Sequence, residues 1–590
     1  MPNLNETGGN IESLSEVEQL KAESRGLYGR IPKELGEATT HFSEEAVQIL
    51  KHHGTYQQDN RDVRLQLKKK GLEWVYTMMV RTKFPGGRLS AEQYLLCDRL
   101  SDQYGQKDMR ATSRQDFQFH GVVKQNLRPL IQDLNLLGGM STLGGCGDVV
   151  RNTMAAPVAD IDPRYAGIGA DLLAVAKEIS DRTFPETRSY FELWLDNEKV
   201  TVNPDGTVVF PAEEKPAVRE PLYGSQYLPR KFKIGIGTDF DNSVDLYTQD
   251  VGIMAVTLPQ YGGDGTGRIA GFEVLVGGGL GHSHTKPNTY ARVASHFAFV
   301  QQDEIWPLVE AVVKVQRDHG ERGDRKMARL KYTVDRMGMD AFRQAVFETA
   351  GRTFAPPVNA RPVDQPDYLG WHRQSQPGLN YVGVWIENGR IKDFGGSYQF
   401  KTGLRKIVES FRPDLRVTPH HNLILANIPD DSVEAVQRML DEYRIPTDQG
   451  VSTLRRMEMA CPALPLCPLA QSEAERVFPE IMAGLEQAGH GDARVIFRMT
   501  GCPNGCARST TSEIGLIGKG PGRYILLVGG DYNGTRLNTE LLDKVKHEEL
   551  VPLIASLFTL WKGDRDPEER FGDWSARRGV VWLRQQLGKE

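Results

Sequence analysis

Residues 110–119 read RATSRQDFQF and residues 416–425 read RVTPHHNLIL, so one block of sequence returns 306 positions later without an internal gap. Each copy follows a stretch of alternating apolar residues (75–80 and 381–386) and a Gly-Gly turn. Each also precedes a segment with a helical pattern (127–137 and 433–443). A strand–helix–strand–helix unit of this size buries little core by itself. The repeat therefore predicts two half-domains that pair about a pseudo-twofold axis.

A weaker echo links two apolar strands that end in glycine-rich loops. Residues 272–278 read FEVLVGG and residues 524–530 read YILLVGG. The predicted order is half-domain, large domain, half-domain, large domain, as gene duplication would produce. We predict a multi-domain α+β fold with an N-terminal extension (1–70), a first half-repeat (71–137), a large α+β domain (138–350), a second half-repeat (365–445) and a second large α+β domain (446–590).

Size and composition are those of an ordinary globular protein. A chain of 590 residues is too long for one hydrophobic core, and about three to four domains are expected. A net charge of −5, without long runs of one sign, counts against a general nucleic-acid binder. The apolar runs fall far short of the roughly 20 residues that cross a bilayer, and residues 1–10 lack the apolar core of a signal peptide. These features predict a cytoplasmic protein.

The N-terminal extension has the pattern of a mostly helical, polar segment. Ser15 and Glu18 have capping-box spacing, and apolar residues follow at near-helical intervals. Residues 56–62, YQQDNRD, are rich in hydrogen-bonding side chains. Taken alone, this stretch indicates a solvated loop.

Four of the six cysteines lie within 46 residues of one another, in two short loops. Five residues separate Cys461 from Cys467, and three separate Cys502 from Cys506. Proline and glycine let both loops wrap a compact group, and Gly501 allows a close backbone approach. Four thiolates in this arrangement favour a cubane iron–sulfur cluster.

Other interpretations of the cysteines remain at this point. Structural zinc is the competing interpretation of the four, although its cysteine pairs usually have two to four intervening residues. Cys97 lies in an apolar helical pattern and Cys146 in a glycine-rich stretch. Both have the pattern of buried packing residues, and the glycine-rich setting of Cys146 leaves an approach to the active site as the alternative.

Basic and polar residues also fall at alternate positions on predicted strands. Arg110, Thr112 and Arg114 share one strand face, which Gln118 and His120 continue, because side chains repeat every second residue. Further basic residues stand near strand ends: Arg81, Lys83, Arg151, Lys231 and Lys233. Convergence would make a cationic pocket for an oxyanion or a carboxylated cofactor. Taken one at a time, each of these residues fits a solvated charge or a surface ion pair.

Together these motifs resemble those of the sirohaem-dependent sulfite and nitrite reductase family. The likeness rests first on the cysteine pairs in ACPALPLCP (460–468) and TGCPNGC (500–506). It extends to HGTYQQD (53–59), RQDFQFHG (114–121), YLPRKFK (227–233), LVGGG (275–279) and GKGPGRY (518–524). Within the family, the likeness is greatest to the haemoprotein of NADPH-dependent assimilatory sulfite reductases.

The resemblance implies two cofactors, sirohaem and a 4Fe–4S cluster, and half-repeats of the ferredoxin-like type. It implies that the cluster ligands are Cys461, Cys467, Cys502 and Cys506, the last of which bridges to the sirohaem iron. The implied substrate-binding residues are Arg81, Arg151, Lys231 and Lys233. The residues implied to hold the macrocycle are Arg110, Thr112, Arg114, Gln118 and His120, with Asn504 beside a cluster sulfur.

The implied reaction is the six-electron reduction of sulfite to sulfide in sulfate assimilation and cysteine biosynthesis. Reduction of nitrite to ammonia is the nearest alternative. The glycine runs lack the strand–GxGxxG–helix setting of a dinucleotide site, so electrons must come from a partner. That partner is expected to be a flavoprotein reductase that uses NADPH, or else a ferredoxin. A non-catalytic zinc or iron–sulfur scaffold would leave the basic strands unexplained.

Overall fold

The fold was taken from a computed structural model, which describes residues 14–168, 172–195, 201–202, 208–209, 220–259, 268–395 and 398–589. The strands are β1 (Thr55–Asp59), β2 (Tyr76–Arg81), β3 (Arg88–Leu89), β4 (Met109–Ala111), β5 (Phe117–Val122), β6 (Met154–Ala155), β7 (Thr201–Val202), β8 (Val208–Val209), β9 (Ile234–Thr238), β10 (Val251–Val256), β11 (Gly271–Val276), β12 (Ser295–Val300), β13 (Gly370–Arg373), β14 (Leu379–Val384), β15 (Arg390–Ile391), β16 (Asp414–Val417), β17 (Leu423–Pro429), β18 (Met459–Ala460), β19 (Phe497–Thr500), β20 (Ile514–Gly520), β21 (Arg523–Val528) and β22 (Thr539–Lys546). The helices are α1 (Glu16–Glu23), α2 (Ile31–Leu35), α3 (Glu44–Leu50), α4 (Arg61–Lys69), α5 (Ala91–Tyr104), α6 (Lys124–Gly138), α7 (Leu172–Arg182), α8 (Ser189–Trp194), α9 (Ile305–His319), α10 (Leu330–Met337), α11 (Met339–Ala350), α12 (Phe400–Phe411), α13 (Val433–Glu442), α14 (Phe478–Leu485), α15 (His547–Asp564) and α16 (Phe571–Gln586).

The two half-domains have the same sheet topology and exchange one strand. The first sheet has the order β1-β2-β5-β4-β15, and the second has the order β13-β14-β17-β16-β3. In each sheet the edge strand comes from the other half, because β15 pairs with β4 and β3 pairs with β16. This exchange joins the halves through backbone hydrogen bonds and confirms the predicted pseudo-twofold pairing.

The two large domains also repeat one topology. The sheet of the first has the order β12-β11-β10-β9-β6, and the sheet of the second has the order β18-β19-β20-β21-β22. In both sheets three strands run parallel and two antiparallel strands complete one side. The echoed sequences lie on the corresponding strands β11 and β21. The α+β fold with internal duplication is therefore confirmed.

The hydrophobic core divides into one large and one separate part. One continuous cluster of buried side chains runs through the N-terminal segment, both half-domains and the first large domain. The second large domain, which carries the four clustered cysteines, has its own core from Leu454 to Leu583. Polar contacts therefore contribute strongly to holding the cysteine loops against the rest of the molecule.

Two expectations for the N-terminal extension were wrong. The stretch that includes Tyr56 is not a solvated loop: it forms β1, which pairs with β2 at the edge of the first sheet. Ser15 stands at the N-terminus of α1, but its side chain makes no capping hydrogen bond, and the Glu18 side chain faces Lys21 and Arg322 instead. The expectation for residues 1–10 lies outside the described residues.

In the part of the chain that the structure describes, no helix combines the length and the apolar character needed to cross a membrane. The expected domain bounds stay predictions.

Candidate active site

The four clustered cysteines lie at the ends of two neighbouring parallel strands. β18 and β19 pair in parallel, with Ala460 opposite Met499, so both chains leave the sheet at the same edge. Cys461 follows β18 directly, and Cys502 follows β19 after one residue. The backbone N–H of Gly501 donates to Cys461 Sγ at 3.3 Å, which ties the two loops together.

Position 501 has no room for a side chain, so glycine is required there. A Cβ at this position would lie 2.5 Å from the carbonyl oxygen of Ser472 and 2.6 Å from the Cβ of Ala463. The same glycine carbonyl accepts from the backbone N–H groups of Gln471 and Ser472. The two cysteine loops therefore pack backbone against backbone at Gly501.

The sulfur atoms lie in a mostly buried environment that opposes ionisation. Burial, together with the nearby Cys506, raises the pKa of Cys502 to about 12 and raises the pKa of Cys461 well above its usual value. Asn504 Nδ2 donates to Cys502 Sγ at 3.5 Å. Thiols that raise each other's pKa become thiolates once a positively charged group lies between them.

A single zinc ion and a cubane cluster place different demands on the spacing of these thiols. Within the described residues, no three His, Cys, Asp or Glu side chains converge closely enough to hold one metal ion. Tetrahedral zinc needs its sulfur ligands about 3.8 Å apart, as Zn–S bonds of about 2.3 Å require. A cubane cluster takes four thiolates as ligands, and these four cysteines influence one another's pKa.

A row of charged and polar side chains crosses the first half-domain sheet. Arg81 on β2 stands opposite Gln118 on β5, which stands opposite Arg110 on β4. The row ends at Arg390, which the exchanged strand β15 places opposite Arg110. His120 lies beside Gln118, and its buried ring has a pKa well below the usual value because of desolvation and the neighbouring arginines. His120 is therefore neutral at physiological pH.

Arg110 joins this row to the first cysteine loop. Its Nη2 donates to the carbonyl oxygen of Ala460 at 2.7 Å, one residue before Cys461. Its Nε lies 3.3 Å from Glu475, which also binds Arg390 through both of its oxygens. This group connects the two half-domains and the cysteine loop at one point.

Cys506 lies beside the loop that contains Thr112 and Arg114. The hydroxyl of Ser113 donates to the carbonyl oxygen of Cys506 at 3.3 Å, and Arg508 Nη1 donates to the carbonyl oxygen of Ser113 at 3.3 Å. Thr112 donates its hydroxyl to Asp116 at 2.5 Å. Cys506 therefore lies beside the part of the first half-domain where the predicted site residues cluster, and it influences the pKa of Arg81 and of Lys231.

Arg81 and Arg151 converge on one backbone carbonyl. Arg81 Nη1 donates to the carbonyl oxygen of Gly145 at 3.5 Å, and Arg151 Nη1 donates to the same oxygen at 3.4 Å. Arg151 Nε donates to the carbonyl oxygen of Gly147 at 2.8 Å. Cys146 is buried between these glycines and is close enough to Arg81 to influence its pKa. Cys146 therefore lies in the wall of the site.

Lys231 and Lys233 belong to the same group of cations. Burial, followed by the charges of Arg230 and Arg329, lowers the pKa of Lys231 to about 7. Burial and then Lys231 lower the pKa of Lys233 well below its usual value, with Arg114 adding to the effect. The influence of Arg114 places Lys233 on the same side of the site.

Four cations of this group have no acidic partner. Among the residues described by the structure, no carboxylate lies within 4.0 Å of the side chain of Arg114, Arg151, Lys231 or Lys233. Arg114 donates to the side-chain oxygen of Gln249 and to two backbone carbonyls. These neutral partners leave the positive charge of Arg114 uncancelled, so the site is prepared for an anion.

Unsatisfied donors test whether these residues fit a carboxylated macrocycle. The Nε atom of Arg114 and the hydroxyl of Thr153 are buried and have no hydrogen-bond partner. Buried donors without partners are costly, and carboxylates supply the acceptors that they lack. The donor set therefore fits a polyanionic cofactor beside Cys506.

Lys83, the remaining basic residue singled out near a strand end, donates its Nζ to the carbonyl oxygen of Ser180.

Sequence patterns missed several residues of the site. Arg390 and Glu475 were not singled out, because strand exchange between the half-domains cannot be read from one chain segment. Tyr56 was assigned to a loop, yet it lies on β1 near Arg151 and Cys146. The internal repeat could have indicated Arg390, because this residue follows a turn equivalent to the turn that precedes Arg88.

Two family models match most of the chain. A model described as "Nitrite and sulphite reductase 4Fe-4S domain" matches residues 146–354 and 453–590. A model described as "Nitrite/Sulfite reductase ferredoxin-like half domain" matches residues 75–137 and 372–443. The segments matched by the two models alternate along the chain in the same order as the half-domain sheets and the large-domain sheets.

Similar proteins carry two different names. A "Sulfite reductase [ferredoxin]" from Synechococcus elongatus is 40% identical over 97% of this chain and 91% of its own length. A "Sulfite reductase [NADPH] hemoprotein beta-component" from Staphylococcus haemolyticus is 38% identical over 97% of this chain and 96% of its own length. Among solved structures, Mycobacterium tuberculosis NirA has the same fold, with a TM-score of 0.75, 24% identity and 97% coverage of both chains.

Proposed function

The chain belongs to the nitrite and sulfite reductase family, and we propose that it is an assimilatory sulfite reductase. In this proposal Cys461, Cys467, Cys502 and Cys506 hold a 4Fe–4S cluster. Cys506 would serve both the cluster and a sirohaem, and the sirohaem would be held by Arg110, Thr112, Arg114, Gln118 and His120, with Asn504 beside the cluster. Four reduced thiols suit a reducing compartment such as the cytoplasm.

The observation that carries the proposal is the group of uncompensated cations beside the fourth cysteine. Arg151, Lys231 and Lys233 have no carboxylate within 4.0 Å among the described residues, and Arg81 shares a backbone carbonyl with Arg151. Such a site favours a small oxyanion, and its position beside Cys506 supports reduction as the chemistry. When bound, the sirohaem and the cluster supply electrons and an iron atom to which sulfur binds.

The pocket residues have two tasks in this reaction. Arg81 and Arg151 supply guanidinium donors that stabilise the negative charge of the substrate oxygens. Lys231, with a pKa of about 7, can give a proton to an oxygen that leaves as water and can regain it at neutral pH. Reducing sulfite to sulfide consumes six electrons and releases its three oxygens as water, so proton supply is needed at every stage.

The electron donor is proposed to be a flavoprotein reductase that uses NADPH, with ferredoxin as the alternative. Four of the eleven exposed large hydrophobic side chains in the described part of the protein are Leu65, Leu72, Val75 and Leu469. α4 places the first of these beside the cysteine loop, because Arg61 donates its backbone N–H to Pro465 and its side chain to the carbonyl oxygens of Cys467 and Ala470.

A run of lysines continues this surface. Lys68, Lys69 and Lys70 are exposed and make no ion pair among the described residues. They lie about 10 Å or more along α4 from Arg61, at 1.5 Å per residue. An apolar patch with a cationic rim, next to the loop of Cys467, supports the docking of an acidic electron-donor protein. We refer to Leu65, Leu72, Val75, Leu469 and the three lysines as the donor patch.

The test uses purified protein loaded with both cofactors. With a reduced viologen dye as donor and sulfite as substrate, we expect one sulfide for every six electrons consumed. With NADPH alone and no partner protein, we expect no sulfide. Absence of dye-driven sulfide formation would contradict the proposed reaction, and NADPH-driven turnover by the isolated chain would contradict the need for a partner.

A further inference from the structure

A cluster of buried charges lies between the N-terminal helix α1 and the loops of the cationic site. Lys21 is 0% exposed, and its Nζ lies 2.5 Å from Glu18 Oε1 and 3.5 Å from Asp148 Oδ2. Arg322 pairs with Glu18, and Arg325 Nη2 lies 2.7 Å from Asp148 Oδ2. Side chains of this kind are rarely buried without a reason that offsets the cost of desolvation.

The cluster holds three successive carbonyl groups in the loop that leads to Lys231. Lys21 Nζ donates to the carbonyl oxygen of Leu228 at 2.8 Å. Arg322 Nη2 donates to that of Tyr227 at 2.8 Å, and Arg325 Nη1 donates to that of Pro229 at 3.3 Å. Hydrogen bonds to charged donors are stronger than those between neutral groups, so the backbone here is firmly fixed.

The same cluster holds the loop that leads to Arg151. Asp148 binds the cluster through its side chain, while its carbonyl oxygen accepts from Leu228 N–H at 2.9 Å. Two more backbone hydrogen bonds continue the contact, from Phe232 N–H to Val149 and from Arg151 N–H to Phe232 at 2.8 Å. Lys231 and Lys233 flank Phe232 in sequence. Asp148 and Leu228 are therefore the anchors from which the positions of all three cations follow.

The charges of the cluster remain balanced around Asp148. Burial alone would raise the pKa of Asp148, but Arg325 and Lys21 hold it below its usual range, so this carboxylate is charged at neutral pH. If Lys21 lost its charge, Glu18 would still pair with Arg322 and Asp148 with Arg325. Removing Lys21 therefore takes away the contact to Leu228 without leaving an unpaired carboxylate.

We propose that Lys21 is a positioning residue of the oxyanion pocket: it fixes the loop of Arg151 against the loop of Lys231 and Lys233. α1 thus serves the active site although it contributes no residue to it. The inference rests on the proposed function, because it names how that pocket is held. It predicts that loosening Lys21 weakens substrate binding before it affects the later steps.

The test compares Lys21→Met with wild type as cofactor-loaded proteins, using a reduced dye as donor. We expect KM for sulfite to rise on the order of tenfold, because small displacements of binding groups have effects of this size, while kcat changes by less than about threefold. Titration of the visible spectrum with sulfite should show the same loss of affinity. Lys21→Gln keeps an N–H donor for Leu228 and should give an intermediate KM.

Lys401→Met is the matched control. Lys401 is also buried, and its Nζ donates to Ser101 at 2.8 Å and to the carbonyl oxygen of Lys107 at 3.1 Å, in the contact between α12 and α5. It should lower the unfolding temperature and leave KM unchanged.

A wild-type KM in Lys21→Met would overturn the proposal. If Lys21→Met does not accumulate as folded protein, a wild-type KM in Lys21→Gln would overturn it by the same criterion. Turnover by the wild type tests the proposed function separately. If nitrite is the better substrate, the same comparison is made with nitrite.

Discussion

At the scale of single residues, the site keeps part of its positive charge because Arg114 and Arg151 bind neutral partners, whereas Arg81 lies 3.7 Å from Asp116. Arg151 donates to the carbonyl oxygens of Gly145 and Gly147, and Arg114 donates to Gln249 and to backbone carbonyls. Elsewhere in the protein the buried arginines pair with acids, as Arg329 does with Asp250. Arginines with neutral partners, as opposed to arginines paired with acids, mark the anion pocket more clearly than the number of basic residues does.

Lys231 should give sulfite binding a pH dependence. Burial and the charges of Arg230 and Arg329 lower its pKa to about 7, so the ammonium group is present below this pH and is lost as the pH rises. We predict that KM for sulfite rises as the pH goes from one unit below to one unit above this value. The Lys231→Met variant should show a higher KM and a flatter profile.

Lys231→Met also controls for the titration of sulfite itself, because a change in the protonation of sulfite affects the wild type and the variant equally. Parallel profiles of KM against pH in the wild type and in Lys231→Met would contradict the assignment.

The motifs and the family resemblance led to a predicted cysteine set and a predicted basic site, and both assignments stay predictions. The partners of these residues were not predictable, because they come from distant segments. Glu475 meets Arg110 across more than three hundred residues of sequence, and Lys21 meets Asp148 across more than one hundred. Contacts of this kind depend on the packing of whole domains, which a local pattern does not contain.

At the scale of elements, the parallel pair β18 and β19 brings the cysteine loops together. Because both strands end at the same edge of the sheet, Cys461 and Cys502 leave it side by side. The repeat predicted the strands of both halves, and the structure confirms them. The short exchanged strands β3 and β15 were not predicted, since two-residue strands have no periodicity that could reveal them.

Gly501→Ala tests the close packing of the two loops. A Cβ there would lie 2.5 Å from Ser472 O and 2.6 Å from the Cβ of Ala463, so one loop must shift. We predict a several-fold loss of iron and acid-labile sulfide per chain, measured on purified protein. Gly520→Ala, in the neighbouring strand β20, is the control because a Cβ there meets nothing within 4 Å. Full cluster content in Gly501→Ala would contradict the proposed role of this contact.

At the scale of the whole molecule, duplication has produced two half-domain sheets and two large-domain sheets within the described residues, and the copies contribute different residues to the proposed site. The first half supplies the row from Arg81 to Arg110, while the second large domain supplies the thiols. The buried contacts of Arg110 and Ser113 join these parts. Division of labour between the copies explains why a repeat visible in the sequence leads to a single active site.

The donor patch should matter only for the natural electron supply. We predict that the double variant Lys68→Glu/Lys69→Glu lowers turnover driven by the partner protein at least several-fold, because charge reversal repels an acidic partner. Turnover with a small dye should stay unchanged. Lys177→Glu/Lys406→Glu, which reverses two exposed lysines elsewhere, is the control. Equal partner-driven rates in both double variants would contradict docking at this patch.

The most direct test of the proposed function is to compare kcat/KM for sulfite and for nitrite in the cofactor-loaded protein, with a reduced viologen dye as donor and sulfide counted in parallel. The proposed function predicts a higher efficiency with sulfite, with six electrons consumed for every sulfide released. A much higher efficiency with nitrite would contradict it and would make the protein a nitrite reductase with the same fold and cofactors.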